Sequence, residues 1–177
     1  MAGTAWLLFS GTKPDRPGGT LAPGRGFELG LERYAAQGAD AASAVAAPQI
    51  TSDPAQILAR EQELGVLEQA AHAGAQQGQI FDAASANDIR RIIDADFARR
   101  QPADRAALLS EVPMAGLHVN QPYPPAEPLA TLPALLIGAL PPLPPQLEYR
   151  FIGFDLVIRD TTTNLIVDIL PGAVARQ

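Results

Sequence analysis

"LEYRFIGFDLVIRDTTTNLIVDIL", residues 147–170, decides the fold of this 177-residue chain. Leu147, Tyr149 and Phe151 alternate with Glu148 and Arg150, the two-residue period of a strand with one buried face. Gly153 to Asp155 then supplies a turn, Leu156 to Arg159 a second strand, and Asp160 to Asn164 another turn rich in short polar side chains. Leu165, Val167 and Ile169, alternating with Ile166, Asp168 and Leu170, make the third strand. The pattern predicts an antiparallel three-stranded meander with one firmly apolar face, so something must cover it.

The cover comes from upstream. "TSDPAQILAREQELGVLEQAAHAG" opens with Ser52 or Asp53 as N-cap and Pro54 at the first helical position. Ile57, Leu58, Glu61, Leu64, Leu67 and Ala71 then repeat at helical spacing, and Gly74 and Gly78 offer the stop. In "SANDIRRIIDADFARR", Ser85 stands ahead of Asp88 like a capping box, and Ile89, Ile92, Ile93 and Phe97 share one face. Asp104 to Glu111 makes a third, shorter helix with Leu108 and Leu109 inward, ended by Pro113. These helices, within residues 54–112, are expected to roof the sheet.

The rest is rich in chain breakers, with 15 glycines and 17 prolines. Residues 1–52, with "KPDRPGGTLAPGRG" and an Ala-rich run, have few bulky apolar side chains and are expected to form a flexible or extended arm. Within it Phe27, Leu29, Leu31 and Tyr34 form an apolar cluster able to dock as a short strand or helical turn. The connector at 113–146 is proline-rich and expected to be extended, with "LATLPALLIGAL" as one short apolar helix starting near Pro133. The fold class is therefore α+β: three helices on a C-terminal meander in one domain, residues 53–177, preceded by a largely irregular arm.

A net charge of −6 opposes a nucleic-acid partner, which requires a dense basic face. Arg90, Arg91, Arg99 and Arg100 alternate with Asp88, Asp94 and Asp96 and read as a solvated helix face. One lysine, Lys13, against twelve arginines, with much Ala, Gly and Pro, points to a GC-rich bacterial genome. Cysteine is absent, which removes disulfides, thiol nucleophiles and thiolate zinc sites and leaves periplasmic and cytoplasmic placement both open. The apolar run Ala5 to Phe9 is too short for a signal peptide or a membrane span, so an exported chain would carry Met1 as an added start after loss of its signal.

Reactive constellations are sparse. His72 and His118 fall in different segments without carboxylates at ligand spacing, and no metal or cofactor is expected. No serine stands in a nucleophile elbow. Asp94 with Asp96 and Glu61 with Glu63 are two residues apart on helices and point to different faces, while Asp155 and Asp160 read as turn formers accepting hydrogen bonds from following amides. "HVNQPYPPAEP" is the most unusual polar run. His118, Asn120, Gln121 and Tyr123 lie there in a proline-stiffened loop, which suits a recognition element losing little entropy on binding, or a connector satisfying its own backbone.

The frame "LPPLPPQLEYRFIGFDLVIRDTTTNLIVDIL" resembles the C-terminal hairpin module of small bacterial periplasmic proteins, including those of the nickel/cobalt-homeostasis type and related uncharacterised families. Tyr149, Arg150, Leu156, Val157, Asp160, Ile166 and Val167 stand in the places of its aromatic-Arg strand, turn Asp and closing strand. The resemblance implies export to the periplasm without a known enzymatic activity. It carries over no metal site, since no histidine or acidic cluster accompanies the hairpin here.

The resulting expectation is a non-enzymatic binding or accessory protein of a bacterial envelope. Its arm and proline-rich segments would meet a protein partner or a second subunit, with Trp6, Phe27, Tyr34, His118, Asn120, Gln121 and Tyr123 as candidate contacts. The alternative is a small hydrolase or ligand-binding enzyme with a cleft around His118, Tyr123 and Asp155. A third reading places Leu129 to Leu140 on a membrane surface.

Overall fold

The computed structural model describes residues 24–44, 51–109, 116–124 and 132–175; Trp6, the rest of the first 23 residues, Glu111 to Pro113 and Leu129 lie outside them. Five helices, α1 (Arg25–Ala44), α2 (Pro54–Ala71), α3 (Ala83–Ala98), α4 (Pro102–Leu108) and α5 (Ala134–Ala139), precede the strands β1 (Leu147–Ile152), β2 (Asp155–Asp160) and β3 (Ile166–Leu170). The fold is α+β, and the strands form one antiparallel sheet in the order β1-β2-β3.

The meander follows the turn chemistry of the sequence. Ile152 pairs with Asp155, which leaves Gly153 and Phe154 as a two-residue loop, and Gly153 takes the left-handed φ of +57° that such loops require. At the second turn Asp160 Oδ1 accepts from the amides of Thr162 at 2.7 Å and Thr163 at 3.2 Å, the expected turn-forming role. Asp155 differs: its Oδ1 accepts from Gly172 N, 17 residues further along the chain.

β3 departs from simple alternation. Ile158 pairs with Asp168 but Arg159 pairs with Ile166, so Val167 is an extra residue, a β-bulge. Ile166 and Ile169 therefore share one face, while Val167 and Leu170 join the other. Both faces are consequently apolar. The inner face, from Leu147, Tyr149, Phe151, Leu156, Ile158, Val167 and Leu170, is the main core. The outer face carries Ile152, Val157, Ile166 and Ile169, with Tyr123 buried against them and Leu117 and Val119 alongside.

Cover for the inner face comes chiefly from α3, whose Ile89 and Ile93 are fully buried and whose Phe97 meets Phe151 edge-on at 5.8 Å. Burying each isoleucine is worth about 1.5–3 kcal/mol. α3 begins earlier than the capping-box reading implies. Its cap is Asp82, whose carboxylate takes the Ser85 amide at 2.8 Å and hydroxyl at 2.7 Å. α5 adds Leu136, and the loop ahead of α3 adds Ile80 and Phe81. α2 has the predicted cap, with Asp53 Oδ1 accepting from Ala55 N and Pro54 in the first turn. It nevertheless gives no apolar side chain to either cluster, and Ile57 and Leu58 face outward.

The largest departure lies in the arm. Residues 25–44, expected to be flexible or extended, form a 20-residue helix. Phe27 is wholly buried in the core, 6.3 Å from the Phe81 ring. Gly30 brings the helix backbone close to the loop before α3, since a Cβ there would lie 2.8 Å from Ile80 Cα. A residue that reads as a breaker thus serves as a close-approach point.

Candidate functional site

Polar side chains gather where α1, α2 and the β2–β3 turn meet. The Tyr34 hydroxyl donates to Asp160 Oδ2 at 3.0 Å, and its ring stacks on His72 with centroids 4.2 Å apart. His72 Nδ1 meets Gln37 Oε1 and Nε2 meets Glu68 Oε1, both at 3.0 Å. As placed, both partners are acceptors, a pattern satisfied by two ring N–H groups; a neutral ring satisfies it once the Gln37 amide turns its nitrogen inward. Burial, then the negative charges of Asp160 and Glu68, push the Tyr34 phenol far above its ordinary value, so it remains a donor. A cavity of about 240 Å³ opens beside this cluster between Gly38, Leu64, Leu67 and Thr162.

This arrangement suits a joint better than a reaction centre. A general base needs a nitrogen within reach of substrate, whereas His72 is 2% exposed with both nitrogens engaged. Asp160 is similarly committed, to two backbone amides and one phenol. The cluster fastens α1 to α2 and to the sheet. Among the described residues no group of three or more His, Asp or Glu side chains is placed to hold a metal ion.

A second joint is built on Asp168, whose side chain is fully buried. Its Oδ1 accepts from Gly78 N at 2.7 Å and Ile169 N at 2.8 Å; its Oδ2 accepts from Ile80 N at 2.7 Å and Phe81 N at 2.8 Å. Four amides satisfy the carboxylate and tie the α2–α3 loop to β3.

The proline-stiffened loop is built into the same framework. Asn120, at φ +64°, donates its amide N–H to Ile166 O at 2.7 Å and its side chain to Gln69 O at 2.8 Å. Gln121 O accepts from Ile166 N, and Tyr123 N donates to Asn164 O, so residues 120–123 lie along the edge of β3. Tyr123 is buried with the Arg159 guanidinium 5.3 Å from its ring centroid, while Gln121 and His118 are exposed. The structure thus brings Tyr34 into the polar joint, sends Phe27 into the core, uses Asn120 as a link between sheet and α2, and leaves His118 at the surface. His118 is exposed, Tyr123 is buried against the outer face of the sheet and Asp155 accepts from Gly172 N, so the three occupy different settings.

Exposed apolar surface lies elsewhere. Leu58 and Val66 on α2 are 55% and 64% exposed, and they border a groove of about 340 Å³ shared with Gln62, Gln69, Pro122 and Leu165. Leu58, Gln62, Val66 and Gln69 recur at three- and four-residue steps and so share one uncharged face of α2, a grouping the spacing of Ile57, Leu58, Leu64 and Leu67 did not single out. On α5, Leu135 and Ile137 are also exposed, next to a second groove walled by Pro142, Leu143, Pro144 and Pro145. Among the described residues no helix is long and apolar enough to cross a membrane.

Comparison with protein-family models, curated proteins and solved structures returned no match.

Proposed function

We propose that this chain is a non-enzymatic binding or accessory protein of a bacterial envelope, which engages a protein partner through α1–α2 and the proline-rich connector. The observation that carries the reading is the α2 groove. It presents Leu58 and Val66 to solvent on an otherwise uncharged stripe, with Pro122 of the connector on its far wall. An apolar stripe beside a rigid wall suits a protein surface that buries it, because the proline-fixed side loses little entropy on binding. The commitment of His72, Asp160 and Asp168 to internal hydrogen bonds supports binding over catalysis. Placement in the envelope rests on the likeness of the C-terminal hairpin to periplasmic modules.

The test is site-specific photo-crosslinking in the producing bacterium. A photoreactive residue at Val66 or Leu58 is expected to give one discrete adduct, and one at the exposed Arg91 on α3 is expected to give none. No adduct from the α2 positions, or the same spread of adducts from all three, would remove the basis of the proposal.

A further inference from the structure

The buried carboxylates of this fold are served unequally. Asp168 accepts from four amides, and Asp160 from two amides and the Tyr34 phenol. Glu68, 9% exposed, meets His72 Nε2 through Oε1 at 3.0 Å, and its Oε2 has no hydrogen-bond partner among the described residues. A carboxylate offers about four lone-pair sites, so Glu68 keeps most of its capacity unused and Asp160 keeps a place on Oδ2. A buried acceptor left open is costly unless something fills it.

Glu68 and Asp160 both line the cavity of about 240 Å³ between α1, α2 and the β2–β3 turn. Its other walls are mostly apolar, from Ala35 and Ala39 on α1 and Leu64 and Leu67 on α2, and among the described residues neither Arg nor Lys lines it. The charges of both acids reach the Tyr34 hydroxyl in the same wall and help to hold its proton. Gly38 keeps α1 clear of the acid, since a Cβ there would lie 2.5 Å from Glu68 Oε1. A glycine inside a helix costs about 1 kcal/mol relative to alanine, so this room is held open at the expense of helix stability. At about 30 Å³ per water the space equals about eight waters, and so suits a ligand of about six to eight heavy atoms.

We infer that this cavity binds a small primary alkylammonium ion, with its nitrogen donating to Glu68 Oε2 and Asp160 Oδ2 and its chain lying on Leu64 and Leu67. The positive charge answers two carboxylates that no basic side chain in the wall balances, and the N–H groups fill acceptor places that the fold leaves open. The aliphatic chain answers the leucine and alanine walls, which a bare metal ion would leave in contact with water. Leu64, Leu67 and Glu68 lie on a different face of α2 from Leu58, Gln62 and Val66. The site therefore stands whether or not the α2 groove takes a protein partner.

Titration of the intact chain with n-hexylamine at pH 7, followed by amide NMR, is expected to give a Kd at or below about 1 mM, with shifts centred on Gly38, Leu64, Leu67 and Thr162. 1-Hexanol, of the same size without the charge, is expected to bind at least about tenfold more weakly, and hexanoate not at all. Nα-acetyl-lysine amide carries the same ammonium on a peptide backbone too large for the cavity and is also expected to bind at least about tenfold more weakly; tighter binding than hexylamine would give the site to a protein's lysine and overturn the assignment to a small free ion. Glu68→Gln keeps the shape of the side chain and an acceptor for His72, and is expected to weaken hexylamine at least about tenfold. Equal affinity for hexylamine and hexanol, shifts centred on Leu58 and Val66 instead of the cavity, or a folded Glu68→Gln chain that binds hexylamine as the wild type does would each overturn the proposal. The ligand series on the wild-type chain decides it even if that variant does not fold.

Discussion

Replacing Asp168 removes the carboxylate on which the α2–α3 loop is hung. Of the four amides it accepts, those of Ile80, Phe81 and Ile169 are bonded in buried positions, whereas Gly78 is exposed and can turn to water. Each stranded buried donor costs about 1–3 kcal/mol, so Asp168→Ala forfeits about 3–9 kcal/mol before compensation. Removing a buried charge returns part of this through desolvation no longer incurred, which leaves a net loss of about 1–5 kcal/mol. Against a native stability of about 5–15 kcal/mol, that is a large fraction. Asp168→Asn keeps one acceptor oxygen for Ile80 and Phe81 and strands Ile169, so its cost is about 2 kcal/mol. Urea unfolding with linear extrapolation measures both, with the m-value expected to stay constant. Losses below about 1 kcal/mol for Asp168→Ala would refute the view that this carboxylate is a structural joint rather than a group kept for chemistry.

Three further outcomes follow from the same geometry. Tyr34→Phe deletes one hydrogen bond to a buried carboxylate and is expected to cost about 1.5–3 kcal/mol by urea unfolding; an unchanged midpoint would remove the Tyr34–Asp160 bond from the account. Tyr34 and Tyr149 are both raised by burial, Tyr34 further by Asp160 and Glu68, so the folded chain holds these two protons more tightly than the unfolded chain. Stability is therefore retained below pH about 10, where both states keep their protons, and falls above it by about 1.4 kcal/mol per pH unit for each tyrosine. Tyrosinate absorbance from these two rings should appear only together with loss of the circular-dichroism signal, and smooth titration near pH 10 in the folded chain would contradict this. Gly30→Ala, despite the better helix propensity of alanine, is expected to destabilise by about 1–3 kcal/mol because its Cβ meets the backbone of Ile80. Gly138→Ala in α5, with open space around it, should be neutral or stabilising by up to about 1 kcal/mol; equal effects at the two glycines would sink the packing argument.

How far the sequence was legible depended on the range of the contacts involved. The meander was readable because alternation and turn chemistry are local, and so was the inward face of α3 at Ile89, Ile93 and Phe97. α1 was not. It has few large apolar residues, and its glycines look like breakers until the neighbouring loop is seen against Gly30. The bulge at Val167 was equally hidden, since a shift of one residue is set by the partner strand. Asp168 occupied a polar place in an alternating strand, with its key partners about 90 residues away in sequence. His72 looked solitary for the same reason: Glu68 is one turn away on its own helix, but Gln37 and Tyr34 arrive only when α1 docks. Ile57 and Leu58 read as part of a face of α2 turned to the sheet and are exposed instead, because helical spacing alone does not say which way a face points.

Native-state hydrogen exchange followed by NMR tests the central claim most directly, namely that the buried carboxylates serve as architectural joints binding α1 and the α2–α3 loop to the sheet. The amides of Ile80, Phe81 and Ile169 are expected to exchange only through global unfolding, and those of residues 29–38 in α1 are expected to be protected with them. Rapid exchange at these positions while the amides shared between β1 and β2 remain protected would contradict the account.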